Sequence, residues 1–259
     1  MGYPSVSVAS DLPHHDQRIE FFGLQFDALE MDDLIAACQL QIQLSRPFSY
    51  VVTPNVDHIV RLEAEPDLRP LYEAASFTVC DSRILEIFSR LERKSLPVIP
   101  GSDLVETLIR HHLTPEDRLV VIGSDPDVLT VLERDFGFSN IAWHDPPMGL
   151  RQNPDAIDRA AQFIVDNNEG FAFLCVGSPQ QEMIAMRVVE LGGGNGIGLC
   201  CGASLDFLTG KAKRAPKWMQ NARLEWLHRL LSEPRRLWKR YLVDGPRIFK
   251  IWMKYRSTR

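Results

Sequence analysis

Two short β-branched runs bracket a helix-length segment between Tyr50 and Arg83, and this pattern restricts the fold more than any other in the chain. The first run is Tyr50-Val51-Val52, closing on Thr53-Pro54-Asn55. The second is Phe77-Thr78-Val79-Cys80, closing on Asp81-Ser82-Arg83. With a helical segment extending to Ala75 between them, they predict a strand–helix–strand unit. An open parallel sheet binds its ligands beyond the carboxyl ends of its strands. Thr53, Asn55 and Asp81 are therefore expected to face one cleft, with Asp81 as the reacting carboxylate.

The rest of the chain repeats the alternation. A hairpin is expected over Ile19–Ala28 with its turn at Gly23, then an amphipathic helix over Met31–Leu44 whose first turn holds Asp32 and Asp33. Helices follow over Ser82–Arg93 and from Gly101-Ser102-Asp103 to His112, the latter capped by Ser102 or Asp103. Strands are expected at Arg118–Ser124, Ile141–Trp143, Phe171–Gly177 and Gly196–Cys201. Helices at Pro126–Phe136, Pro154–Asn167 and Gln180–Leu191 separate them. Such alternation implies an α/β fold, a mostly parallel sheet with helices on both faces. Residues 1–18 read as a poorly ordered lead-in, 19–210 as the α/β body and 211–259 as a helical appendage. Pro216, Pro234 and Pro246 divide the appendage into three helices. No apolar run approaches the ~18 residues that a spanning helix needs, and the N-terminus lacks the pattern of a secretory signal.

Charge is divided unevenly. From Lys211 to Arg259 the chain carries 15 Lys and Arg against 3 acids, a net of +12; residues 1–210 carry 14 against 31, a net of −17. An acidic body with a basic tail points to an anionic partner for the tail. There, Arg223, Arg229, Arg235, Arg236, Lys239 and Arg240 interleave with Leu224, Trp226, Leu227, Leu230, Leu231, Trp238 and Tyr241. Basic amphipathic helices with interfacial aromatics suit an anionic membrane surface. A second reading docks the apolar face on the body and solvates the charges. Nucleic acid is the rival anion, and the acidic body argues against it. The five cysteines are odd in number and lack metal-type spacing, which predicts buried reduced thiols.

Several motifs admit both chemistry and plain structure. Gly123-Ser124 ends a strand just before a helix, where backbone N–H groups can hold phosphate. Asp125-Pro126-Asp127 has the spacing of the Asp-x-Asp that binds Mg²⁺ and a nucleotide sugar in many glycosyltransferases, but Asp125 before Pro126 fits a helix cap better. Gly192-Gly193-Gly194-Asn195-Gly196-Ile197-Gly198 lacks G-x-G-x-x-G spacing and precedes a strand, so it is no dinucleotide fingerprint. Gly177-Ser178-Pro179-Gln180-Gln181-Glu182 is a strand-to-helix turn. An amide in it could meet a sugar or uracil edge, or Ser178 could cap the helix with Gln181 completing a box. His58 reads as a helix-face histidine.

Together these pieces resemble the WecG/TagA/CpsF glycosyltransferases (glycosyltransferase family 26) over roughly Phe22 to Tyr241. The resemblance rests on Thr53-Pro54-Asn55, Asp81, Gly101-Ser102-Asp103, the Gly177–Glu182 run and Gly202-Ala203-Ser204-Leu205-Asp206-Phe207-Leu208-Thr209-Gly210. It continues through Arg214-Ala215-Pro216-Lys217-Trp218-Met219-Gln220 and the run from Leu224 to Arg236. It implies a Rossmann-like fold of the GT-E type. It also implies an inverting, metal-independent transfer of a hexose or N-acetylhexosamine from a UDP-sugar to a polyprenyl-diphosphate-linked sugar. It places that work at the cytoplasmic face of the inner membrane, in cell-surface polysaccharide synthesis, and implies no cofactor. The family's base falls on Asp81, its active-site Thr and Asn on Thr53 and Asn55, and its motif glutamine on Gln181. Gly123, Ser124, Gly177, Arg83, Arg214 and Arg223 complete the expected substrate contacts. One departure is that Ser82-Arg83 follow Asp81, where the family carries Gly and an aliphatic residue. Arg83 is expected either to pair with Asp81, depressing its pKa, or to bind a diphosphate or sugar carboxylate. A non-catalytic nucleotide-sugar-binding protein at the membrane is the alternative. Self-association of the body fits the composition, although no residue pattern demands it.

Overall fold

The computed structural model of the chain describes residues 18–167, 169–212, 215, 216, 219, 225–232 and 234–257. All of the lead-in except Arg18 lies outside them. β1 (Arg18–Phe21) and β2 (Leu24–Asp27) form the expected hairpin. Six strands then build one parallel sheet: β3 (Ser49–Val52), β4 (Phe77–Thr78), β5 (Leu119–Gly123), β6 (Ile141–His144), β7 (Phe171–Cys175) and β8 (Ile197–Cys200). Their order across the sheet is β4-β3-β8-β7-β5-β6, parallel throughout. β5 is followed by its outer neighbour β6, whereas β7 is followed by β8 on the other side. The chain thus reverses direction between β5 and β7, which is where such sheets open a crevice.

Every central strand is apolar on both faces, as a doubly covered parallel sheet requires. Tyr50, Val52, Val120, Ile122, Ala172 and Leu174 pack on one side. They meet Ile59 and Leu62 of α2 (Val56–Ala64), Ala160 and Ile164 of α7 (Pro154–Asn167), and Ile184 and Val188 of α8 (Gln180–Leu191). Val51, Leu119, Val121, Phe171, Phe173 and Leu199 pack on the other. They meet α1 (Met31–Gln43), α5 (Gly101–Thr107) and α6 (Pro126–Phe136) through Leu34, Leu104 and Leu132. The short edge strand β4 is covered: Asp27 of β2, 3% exposed, accepts from Thr78 N at 2.7 Å and holds Arg18 at 2.9 Å.

Two local expectations are corrected. The segment from Asn55 to Ala75 is not one helix: α2 stops at Ala64, Pro66 opens a 3₁₀ turn to Leu68, and Pro70 begins a short α3 (Pro70–Glu73). Each proline lacks the N–H that a continuing helix would use. At α5, neither Ser102 nor Asp103 is the cap; Pro100 precedes the first turn and gives no side-chain cap bond, and the last turn widens to π geometry over Leu108–His112.

The next elements are α4 (Arg83–Leu91), α9 (Ser204–Leu208), α10 (Glu225–Ser232), α11 (Pro234–Trp238) and α12 (Arg247–Ser257). The turn at Gly245-Pro246, just before α12, falls where the sequence puts a break. α12 docks by its inner face: Trp252 stacks on Phe88 with centroids 4.9 Å apart and donates to Glu92 at 3.0 Å. Tyr255 lies against Phe21 and Phe22 of the hairpin. Leu231, Trp238, Leu242, Phe249 and Met253 stay exposed. No described helix is long and apolar enough to cross a membrane.

Candidate active site

Thr53, Asn55 and Asp81 stand together at the carboxyl edge of the sheet. The β3–β4 pairing continues past the last ladder residues. Val79 N donates to Val52 O at 3.0 Å, and Asp81 N donates to Pro54 O at 3.0 Å. All three site residues are partly exposed. Asn55 and Asp81 each stand at the start of a helix. Asn55 caps α2, its Oδ1 accepting from Asp57 N at 3.1 Å, while Asn55 N donates to His58 Nδ1 at 3.1 Å. Ser82 caps α4, its Oγ accepting from Leu85 N at 3.3 Å. Asp81 therefore sits between a strand end and a capped helix, a position that its backbone cannot easily leave.

A third segment closes in through a glycine. Gly101 opens α5 directly against Thr53. A Cβ there would stand 3.1 Å from Thr53 Oγ1 and 3.8 Å from Ser204 Oγ. The motif Gly101-Ser102-Asp103 is thus required for close approach and not for capping. Ser204 Oγ donates to Cys201 O at 2.6 Å at the start of α9. The strand ends of β3, β4 and β8 and the start of α5 share one edge.

Arg83 forms an ion pair within α4. Its Nη1 lies 3.2 Å from Glu86 Oε2, a carboxylate that Arg90 also holds at 2.6 Å. Of the two roles expected of Arg83, its ion pair goes to Glu86 on its own helix.

The crevice between β5 and β7 lies further along the edge. Gly123 and Ser124 both take left-handed backbone, with φ of 77° and 71°. Gly123 touches the neighbouring strand end: a Cβ there would come within 2.7 Å of Val176 Cγ1. Trp143 Nε1 pins the turn by donating to Gly123 O at 2.9 Å. The Ser124 hydroxyl is buried and has no hydrogen-bond partner among the described residues. Gly177 also has φ of 77°, but its Cβ direction is open. Asp125 caps α6 by accepting from Asp127 N at 3.0 Å and pairs with Lys211, which holds its carboxyl below the usual range. Capping thus takes the side chain that Asp-x-Asp metal binding would use.

Beneath the edge runs a buried polar cluster. Ser178 does not cap α8, which begins after Pro179 with no side-chain cap. Instead its Oγ accepts from Arg61 at 2.9 Å and meets Tyr72 OH at 3.2 Å. Gln181, 5% exposed, uses its amide inside the protein: Nε2 donates to Glu182 Oε1 at 2.9 Å, and Oε1 accepts from Gly202 N at 3.0 Å. The carboxamide expected to meet a substrate edge instead ties the turn after β7 to the turn after β8. Glu182 is 1% exposed and lies 4.0 Å from His58 Nε2. Burial pushes its carboxyl up, outweighing the lowering effects of the Gln181 amide, the Ser178 hydroxyl and Arg61. Sequence reasoning missed the roles of Glu182, Ser204 and Trp143 here. Glu182, the last residue of the Gly177–Glu182 motif, and Ser204, inside the Gly202–Gly210 motif, carried a signal of position but none of partner, and Trp143 carried none.

The five thiols are free; Cys38, Cys80 and Cys200 are buried, and Cys175 and Cys201 lie 3.7 Å apart at the ends of β7 and β8. Arg214 and Arg223 lie outside the described residues. A model of the glycosyl transferase WecG/TagA/CpsF family matches residues 19–259, nearly the whole chain. The chain, with its parallel sheet and its Thr53–Asp81 edge, belongs to that family of glycosyltransferases.

Proposed function

We propose that the protein transfers a hexose or N-acetylhexosamine, with inversion and without a metal, from a UDP-sugar to a polyprenyl-diphosphate-linked sugar in cell-surface polysaccharide synthesis. The observation that carries this reading is the 3.0 Å tether from Asp81 N to Pro54 O, which sets Asp81, a partly exposed residue, at the same strand edge as Thr53 and Asn55. Inversion needs one base for the acceptor hydroxyl, on the sugar face opposite the departing UDP. Asp81 is that base, and Thr53 and Asn55 orient the sugar. The β5–β7 crevice takes the nucleotide side. There the glycine turns at Gly123 and Gly177 offer backbone donors and close approach to a diphosphate, and the unpartnered Ser124 hydroxyl becomes a further donor if the turn opens to the ligand. Gln181 contributes by holding the Gly202 turn.

Without a metal, the charge growing on UDP must be met by cations, and the basic tail supplies them. Arg214 and Arg223 close over the UDP when the tail docks. Arg214→Glu is then expected to lower turnover on the lipid-linked acceptor by about 10²-fold or more, the effect of removing one preorganised donor. Unchanged turnover in that variant would remove the tail from the site. The exposed Trp238, Leu242, Phe249 and Met253, among Lys239, Arg247 and Lys250, suit an anionic membrane at which the long-chain acceptor resides.

A panel of UDP-sugars offered with a polyprenyl-diphosphate-sugar, read by mass spectrometry with and without EDTA, tests the reading. One donor should give a product heavier by one sugar residue, at the same rate in EDTA. Binding of UDP-sugars with no product from any of them would favour the non-catalytic alternative.

A further inference from the structure

We infer that Glu182 is a positioning residue for the transfer reaction, a single buried carboxyl that holds the turns after β3, β7 and β8 in register beneath the Thr53–Asp81 edge. The inference rests on the proposed site but not on its substrates. On one side, Glu182 Oε1 accepts from Gln181 Nε2 at 2.9 Å, and Gln181 Oε1 accepts from Gly202 N at 3.0 Å. That bond fixes the turn whose Ser204 stands next to Gly101 and Thr53. On the other side, Glu182 faces His58 Nε2 at 4.0 Å, and His58 Nδ1 meets both the backbone N–H of Asn55 at 3.1 Å and its Oδ1 at 2.8 Å.

The histidine makes the link chemically specific. Nδ1 faces a donor and an acceptor and can satisfy one at a time. If Nδ1 carries the hydrogen, it donates to Asn55 Oδ1 and Nε2 is left as an acceptor towards Glu182. If Nε2 carries it, Nδ1 accepts from the Asn55 backbone and the N–H faces Glu182. The carboxyl beside Nε2 therefore biases which contact orders Asn55. Glu182 Oε2 has no hydrogen-bond partner among the described residues, although it is buried. Tyr50, Tyr72 and Cys200 enclose the group from β3, α3 and β8, and all three have their own ionisation pushed up, chiefly by burial. The surroundings favour a neutral group, so glutamine is its closest mimic.

Glu182→Ala and Glu182→Gln test this by amide hydrogen exchange and by steady-state kinetics with the donor that the panel identifies. In Glu182→Ala, peptides covering residues 53–58 and 200–205 should exchange about tenfold faster, with β5 and β7 unchanged. Its kcat should fall about 10–100-fold, as expected of a sub-ångström misplacement, with donor KM within about threefold of wild type. Glu182→Gln should restore both exchange and kcat to within about threefold. A folded Glu182→Ala with wild-type exchange and kcat would overturn the inference, as would a Glu182→Gln as impaired as the alanine. If Glu182→Ala does not fold, Gln181→Ala replaces it; retained protection of the Gly202 peptide there overturns the inference too. Exchange needs no substrate, so a wild-type protein that transfers no sugar would refute the proposed function and leave this test standing.

Discussion

Asp81→Asn is expected to lose transfer by about 10²–10⁴-fold, the contribution of a placed general base, while UDP still binds. The substitution keeps shape and volume and removes only the negative oxygen that takes the acceptor proton. The backbone contacts that hold residue 81 in place are kept in the variant. Its N–H still reaches Pro54 O, and Ser82 still caps α4 through Leu85 N. The fold and the proposed nucleotide side, across the edge at Gly123, Ser124 and Gly177, should therefore survive. Turnover by mass spectrometry and UDP affinity by calorimetry separate the two effects. Full turnover in the variant would remove Asp81 as base. Loss of UDP binding together with turnover would make it a ligand of the donor.

The second large effect is on stability. Gly123→Val is expected to cost about 2–6 kcal/mol. Of this, about 1–3 comes from forcing a β-branched residue to a left-handed backbone and about 1–3 from overpacking. The wild-type φ is 77°, and the first added carbon would lie 2.7 Å from Val176 Cγ1. The turn cannot easily retreat, because Trp143 Nε1 holds Gly123 O at 2.9 Å and β5 is paired on both sides. Urea unfolding should show the midpoint fall with little change in slope. An unchanged midpoint would show that the turn is free to move, and so cannot present fixed donors to a diphosphate.

The sheet was legible because its signal is local. The β-branched runs at Tyr50–Val52 and Leu119–Gly123 each satisfy two buried faces at once, and Pro126, Pro154 and Gln180 start their helices where the sequence places them. The misreadings have equally local causes. Leu62, Leu68, Leu71 and Tyr72 kept an apolar helical face going across Pro66 and Pro70, and the missing N–H groups outweighed it. Ser102 and Asp103 look like caps, yet Gly101 is the residue that matters, because the start of α5 must approach Thr53.

Site residues from different strands were harder. Thr53, Asn55 and Asp81 could be placed together, since adjacent parallel strands end on the same edge. The partner of Gln181 could not be read from spacing. Gly202 lies 21 residues away on another turn, and a buried amide and an open one look alike in sequence. The same holds for Glu182 and His58, brought together only by the β3-β8-β7 order. Arg83 was read from its neighbour in sequence, Asp81, while its helix offered Glu86 one turn on.

A crystal structure of the protein with UDP bound tests the central claim most directly. The account predicts UDP along the carboxyl edge, its diphosphate at the Gly123-Ser124 and Gly177 turns and the open side of its outer phosphate towards Asp81. UDP seated away from that edge, or with the Asp81 carboxylate turned from it into the core, would contradict the account.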